Sequence, residues 1–329
     1  MISRAGLPRI FLRALTSTSL VRSSRITASE AAARLLDSFA GAAITRRHFI
    51  DPNQLQKLSL TLCRTAVGGH DITDEPPPMG TPLPPGHHLV YFTPNGTEAE
   101  LGLDGSDKTF NPVSPFTRRM WAGDQVEERT RLLSAVPKKS KSTGEMVLVE
   151  VEREFWGPQG LALADKRSWV FRPEVTVHAD SVAAQPRPLQ IDEHLPTQIE
   201  DMAEADNSTP VRRLRWSPVG LFRFSALTFN GHKIHYNPDW TRTVEGHPGV
   251  VVHGPLNLIN MLDYWRDIHG EQADLSDITY RAMAPIYAGE EYDIRTAGVE
   301  EVGDQQTYTI LVEKQGNVCM KAEIGAMKR

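Results

Sequence analysis

The chain has 329 residues, 40% of them hydrophobic and 23% charged, with a formal net charge of -5 at pH 7. That length suits about two domains of ordinary size, and the mildly acidic balance gives no electrostatic reason to expect nucleic-acid binding. No run of 18 apolar residues occurs, so no membrane-spanning helix is expected. The two cysteines, Cys63 and Cys319, are too far apart for a metal-type spacing and read as reduced thiols.

The first residues depart from this ordinary composition. Arg4, Arg9, Arg13, Arg22 and Arg25 all precede the first acidic residue, Glu30, with Ser and Thr abundant between them. Leu7, Ile10, Phe11, Ala14 and Leu15 fall on one helical face and leave Arg9 and Arg13 on another. An acid-free, Arg-rich amphipathic leader is the signature of a mitochondrial transit peptide, assigned here to residues 1–30, with the mature chain beginning between Leu15 and Arg34.

Further along, residues 51–62 open on Asp51 as an N-cap and Pro52 at the first helical position, predicting a helix. Residues 71–86 carry too many prolines for regular structure and read as a loop. Lys138–Lys141 is a solvated hairpin connection, and residues 144–156 alternate apolar with acidic side chains as a half-buried strand. From Pro173 to Pro210 periodicity fades, which predicts a linker.

Past that linker a piece of the first half returns. Residues 121–130 (WAGDQVEERT) align without gaps on 287–296 (YAGEEYDIRT), and an alternating strand follows each copy, at 145–152 and 307–314. Two related α+β halves, each rich in strands with one principal helix, are expected to pack as a fused dimer would.

The chemistry is expected in the second half. Residues 224–236 (FSALTFNGHKIHY) read as a short strand ending at Phe229, then a turn at Asn230-Gly231, with His235 just beyond it. Residues 249–256 (GVVVHGPL) lead into 257–268, where Leu258, Leu262 and Trp265 mark an amphipathic helix. Gly254 lies where backbone N–H groups at a helix start can hold a developing oxyanion. Elimination of water from a 3-hydroxyacyl thioester needs a base for the C2 proton, a donor for the thioester oxygen and help for the leaving hydroxyl.

These residues resemble the MaoC-like, type 2 (R)-hydratase motif of the hot-dog fold, in which an Asp and a His stand five residues apart. Those two positions are Asn230 and His235 here, and His253-Gly254 matches the His-Gly that opens the long hot-dog helix. The fuller strings, together with 114–123 (SPFTRRMWAG), are similar to the mitochondrial 3-hydroxyacyl-thioester dehydratases and their mesaconyl-CoA hydratase relatives. The resemblance implies an α+β double hot-dog: a non-catalytic half over 50–172, a linker over 173–210 and a catalytic MaoC-like half over 211–329. It implies a hydro-lyase working on (3R)-3-hydroxyacyl thioesters, in mitochondrial type II fatty acid synthesis, or else on mesaconyl- or itaconyl-CoA. His235 and Asn230 would be catalytic, and the Gly254 amide would form the oxyanion hole. No cofactor or metal is expected. The partner is an acyl thioester of acyl carrier protein or coenzyme A, with a homodimer as a further option and the mitochondrial matrix as the location.

Asn230 departs from the wider pattern, because an amide cannot relay a proton at neutral pH where a carboxylate can. Asp239 is a nearby candidate for a second acid/base. The competing readings are a metal site built on His232, His235, His247 and His253, a thioesterase, and a binder that holds acyl thioesters without turnover. The histidines lack a recognised metal-ligand spacing.

Overall fold

A computed structural model describes residues 26–329, apart from 47, 49, 95, 124–128, 141–143, 158–159, 174–185, 191, 193–194 and 205–206. The leader up to Arg25 therefore lies outside the described residues.

The first sheet is built from β1 (Ile44–Thr45), β4 (Phe116–Gly123), β5 (Arg129–Ser140), β6 (Gly144–Gly157) and β7 (Gly160–Pro173), in the order β1-β5-β6-β7-β4. The second contains β8 (Gln198–Glu204), β9 (Asn207–Arg215), β10 (Ala273–Ala282), β11 (Glu291–Val302), β12 (Gln305–Lys314) and β13 (Asn317–Lys328), in the order β10-β13-β12-β11-β9-β8. With β8 set aside as an added edge strand, the two orders are the same. The alternating strands that follow the repeat are equivalent, β6 with β12, and Arg129-Thr130 at the end of the first copy begin β5 where Arg295-Thr296 lie in β11, whereas residues 121–123 belong to β4. The outer strands β4 and β10 run beside each other where the halves meet, as the pseudo-twofold packing of a double hot-dog requires.

Each sheet covers one helix. In the second half this is α5 (Gly254–His269), in which every residue from Leu256 to Trp265 is buried. A helix buried on nearly all sides belongs in a core, and Tyr292, Ile294, Ile310, Val312, Ala322 and Ile324 from the sheet close over it. Beneath the helix Tyr292 forms a polar anchor. Its hydroxyl donates to Asn257 Oδ1 at 2.7 Å and accepts from Trp216 Nε1 at 3.0 Å. A fully satisfied buried network of this kind fixes the helix in one register.

The first half uses a helix that the composition of the leader concealed. α1 (Ala28–Ser38) is capped by Thr27, whose hydroxyl accepts from the Glu30 N–H. Its Ala28, Ala31, Ala32 and Leu35, at helical spacing, pack against Val147, Val149, Val151, Trp169 and Phe171 of the sheet. The packed first half thus begins near residue 26 rather than 50.

The predicted helix at 51–62 is present as α2 (Pro52–Thr61), with the Asp51 side chain accepting from the Asn53 N–H. After α2 comes a small hairpin of β2 (Ala66–Val67) and β3 (His70–Asp71). However, Leu55, Leu58 and Leu62 join the core of the second half, beside Leu221 and Phe224 of α3 (Pro218–Leu227). The segment read as linker also contains structure: β8 and the start of β9 lie within 173–210. β8 is an edge strand with exposed and half-buried positions, so little apolar alternation marks it.

The strand predicted up to Phe229 is a helix instead. Ser217 caps α3 through the Gly220 N–H and Pro218 begins it, which outweighs the short apolar run at 224–229.

Candidate functional site

α3 ends at a reversal. Phe229 takes a left-handed φ of 49°, the Asn230 N–H donates back to Ser225 O at 2.8 Å, and Asn230 Oδ1 accepts from the His232 N–H at 3.0 Å. The left-handed residue is Phe229 and not Asn230 or Gly231; the Asn-Gly signal marks the turn because the Asn side chain accepts from the backbone two residues on. One 3₁₀ turn over Lys233–His235 follows, and the Val251 N–H donates to Ile234 O at 2.8 Å. The motif loop is thereby pinned to the strand-like approach to α5.

This arrangement brings His235, Asn230 and Gly254 to one cavity of about 630 Å³. His235 is buried, and its Nδ1 lies 2.8 Å from Val251 O. A carbonyl can only accept, so Nδ1 carries the hydrogen and Nε2 of the neutral ring is an acceptor. Burial, reinforced by the neighbouring His232, pushes the His235 pKa down to about 3, so the ring is neutral in ordinary conditions. His253 stacks on it with ring centroids 3.7 Å apart and its Nε2 is 2.8 Å from Ser225 Oγ. Burial likewise holds His253 well below the usual histidine range.

Gly254 is the first residue of α5, after His253 at the cap. The first amides of a helix have no intrahelical acceptor and carry the positive end of its dipole. Pro255 next to it brings no N–H.

Asp239 is elsewhere. It sits in the first turn of α4 (Pro238–Thr243) with its side chain 87% exposed and 3.2 Å from Arg242. The helix start prefers an acid there, which accounts for it without catalysis. The four histidines do not converge as ligands: His235 and His253 stack face to face, and His232 meets His235 edge-on at 5.4 Å. Among the described residues no group of three or more His, Cys, Asp or Glu side chains is arranged to hold a metal ion.

The first half supplies part of the cavity wall, which the sequence reading missed. Arg153 of β6 and Arg167 of β7 line it together with His88, Phe155 and Trp169. Arg153 shares the inward face with Val147, Val149 and Val151, and an arginine in that alternation was the available signal. Asp165, fully buried, pairs with Arg167. The loop from Leu101 to Ser106 is the second contribution. Gly105, at φ 81°, packs against the Gly231 carbonyl, where an added Cβ would stand only 2.0 Å away.

The profile of a family described as "Hydroxyacyl-thioester dehydratase type 2" matches residues 86–288. The chain belongs to this family. It is 30% identical over 224 residues to the mesaconyl-C(4)-CoA hydratase of Chloroflexus aurantiacus, covering 64% of this chain and 73% of that one. It is 26% identical over 241 residues to the mitochondrial hydroxyacyl-thioester dehydratase type 2 of Schizosaccharomyces pombe, covering 64% and 76%. Among solved structures, a MaoC-like dehydratase from Phytophthora capsici superposes with a TM-score of 0.55 at 14% identity, covering 89% of this chain and 99% of that one. At that identity the likeness carries the fold, and it agrees with the double hot-dog expected from the motif. As a member of the hydroxyacyl-thioester dehydratase type 2 family, the protein is a hydro-lyase.

The buried imidazoles make stability pH-dependent. His235 and His253 have folded-state pKa values below the unfolded value of about 6.5. A lowered histidine means that the unfolded chain binds more protons, so stability is full above pH 6.5 and falls as the pH drops below it. For His235 alone, a folded pKa of about 3 corresponds to roughly 2 kcal/mol lost at pH 5. Thermal unfolding at pH 5 should therefore occur several degrees below that at pH 7.5. An equal or higher midpoint at pH 5 would contradict the neutral, buried assignment.

Proposed function

We propose that this hydro-lyase interconverts (3R)-3-hydroxyacyl and 2-enoyl thioesters in the mitochondrial matrix, as a step of type II fatty acid synthesis. The observation that carries this reading is the neutral His235, with Nε2 left as an acceptor, in one cavity with the first amide of α5. In dehydration His235 takes the C2 proton. The Gly254 N–H stabilises the charge that develops on the thioester oxygen, an effect worth about 10²–10³-fold for one such donor. Asn230 orients the departing hydroxyl by hydrogen bonding. The mitochondrial relative at 26% identity and the Arg-rich leader support the location.

A second reading is favoured by Arg153 and Arg167 in the cavity wall. Buried guanidinium groups suit a substrate with an additional negative charge, as in a short dicarboxylic acyl-CoA, and the mesaconyl-CoA hydratase relative points the same way. The two readings separate in one panel: crotonyl, longer 2-enoyl and mesaconyl thioesters, on coenzyme A and, where loaded, on acyl carrier protein. A kcat/KM that is highest for the uncharged enoyl chains supports the first reading; one at least about tenfold higher for mesaconyl-CoA supports the second.

A further inference from the structure

Asn230 puts an amide where the wider MaoC-like motif has an acid, and besides burial the influences on His235 come from His232, the Val251 carbonyl and His247, with no carboxylate among them. A carboxylate outside the cavity lining stands behind His232, on the loop contributed by the other half of the molecule. Asp104 is buried at 7% exposure on the loop that packs against the motif. Its Oδ1 accepts from the Ser106 N–H at 3.0 Å and Oγ at 2.8 Å, and its Oδ2 stands 3.5 Å from His232 Nε2. The two loops are also joined through the backbone: the Lys233 N–H donates to Asp104 O at 2.7 Å and Lys233 Nζ to Leu103 O at 2.6 Å. His232 in turn lines the cavity and meets the His235 ring edge-on.

We infer that His232, held by Asp104 of the first half, is the second proton-carrying group of the reaction and replaces the carboxylate absent at Asn230. This inference rests on the dehydratase reading of the same cavity. His232 Nε2 faces a carboxylate at 3.5 Å, whereas His235 Nδ1 faces a backbone carbonyl at 2.8 Å. The two rings are therefore unlike, as an acid and a base must be. In dehydration the C2–H bond breaks and its proton goes to His235 Nε2. The released electron pair forms the C2–C3 double bond as the C3–O bond breaks, and the oxygen leaves as water with the proton given by His232. Transfer of one proton from His235 to His232 restores the starting state. Hydration is the reverse, and water is the only co-reactant. Asp104 is a positioning residue in this scheme, acting through His232.

The test uses steady-state hydration of crotonyl-CoA by the whole chain with Asp104→Asn, His232→Gln and the two combined. Asparagine keeps an acceptor for Ser106 while removing the charge. Each single variant should lower kcat about 100-fold or more, within the 10²–10⁴ range of acid–base help, with KM within about threefold of wild type. The double variant should be no more than about threefold slower than the slower single one, because both changes remove the same proton. Wild-type kcat in either single variant, losses that multiply, or a loss confined to KM would overturn the assignment. If Asp104→Asn fails to fold, His232→Gln decides by the same kcat and KM criteria. An inactive wild type would instead sink the dehydratase reading itself, and His235→Ala in parallel separates the two: it should be inactive even where the Asp104 and His232 variants are not.

Discussion

Replacing His235 with alanine should abolish hydration of an enoyl thioester, by about 10³-fold or more in kcat, while the protein remains folded. The expectation lies in the upper part of the usual 10²–10⁴ range for acid–base help, because no other described group in the motif offers an acceptor at this place. Removing the ring also removes its hydrogen bond to Val251 and its stack on His253. Circular dichroism and thermal unfolding are therefore measured alongside the rate. Asn230→Ala should cost less, about 10-fold, since an orienting hydrogen bond contributes less than a proton acceptor. Asn230→Asp restores the carboxylate of the wider motif; its Oδ1 can still accept from the His232 N–H as the amide does. That variant should stay active and acquire an altered pH profile. Near-normal turnover in His235→Ala, with Asn230→Asp indistinguishable from wild type, would refute the assignment.

The second large effect is steric. Gly105→Val places a side chain on a backbone at φ 81°, with its Cβ about to meet the Gly231 carbonyl at 2.0 Å. Neither backbone can give without moving the Asn230–His235 loop. A displacement of about 1 Å at a reacting group can cost 10²-fold, so kcat/KM should fall at least about 100-fold. Positive-φ strain by itself costs roughly 1–3 kcal/mol, and Gly303→Val isolates that component: Gly303 has φ 63° with nothing within 4 Å of an added Cβ. The Gly303 variant should lose stability but keep its activity. Equal activity in the two variants would mean that the first half does not shape the site.

Much of this architecture was legible in the residues. The alternation of Val147, Val149 and Val151, the repeat at 121–130 and 287–296, and the spacing of Leu258, Leu262 and Trp265 are local signals, and local signals define elements. The motif around His235 was legible for the same reason, since its turn, its helix start and its histidine are close in sequence. What periodicity cannot state is the partner of a buried face. The stripe of Leu55, Leu58 and Leu62 predicts a helix, but not that it joins the core of the other half. α1 was hidden because its Ala-rich face follows directly on an Arg-rich leader, and the end of a leader has no sharp residue signal. The final apolar residues of α3 look like a strand in isolation, because the Ser217-Pro218 cap that makes them helical lies ten residues upstream of Leu227. Asp104 and Arg153 stand 126 and 77 residues before Asn230, beyond the reach of any local signal. Asp239 drew notice through sequence proximity, yet its side chain faces Arg242 and solvent.

The most direct measurement follows two products at once when the purified wild-type chain meets crotonyl-CoA: loss of the enoyl double bond and release of free thiol. Hydration by His235 at the junction of the two halves predicts that the double bond disappears, a single 3-hydroxyacyl enantiomer of R configuration forms, and no thiol is released. Thiol release without hydration would identify a thioesterase, and binding of crotonyl-CoA with neither change, repeated across the longer and dicarboxylic thioesters, would identify a carrier; either result contradicts the account.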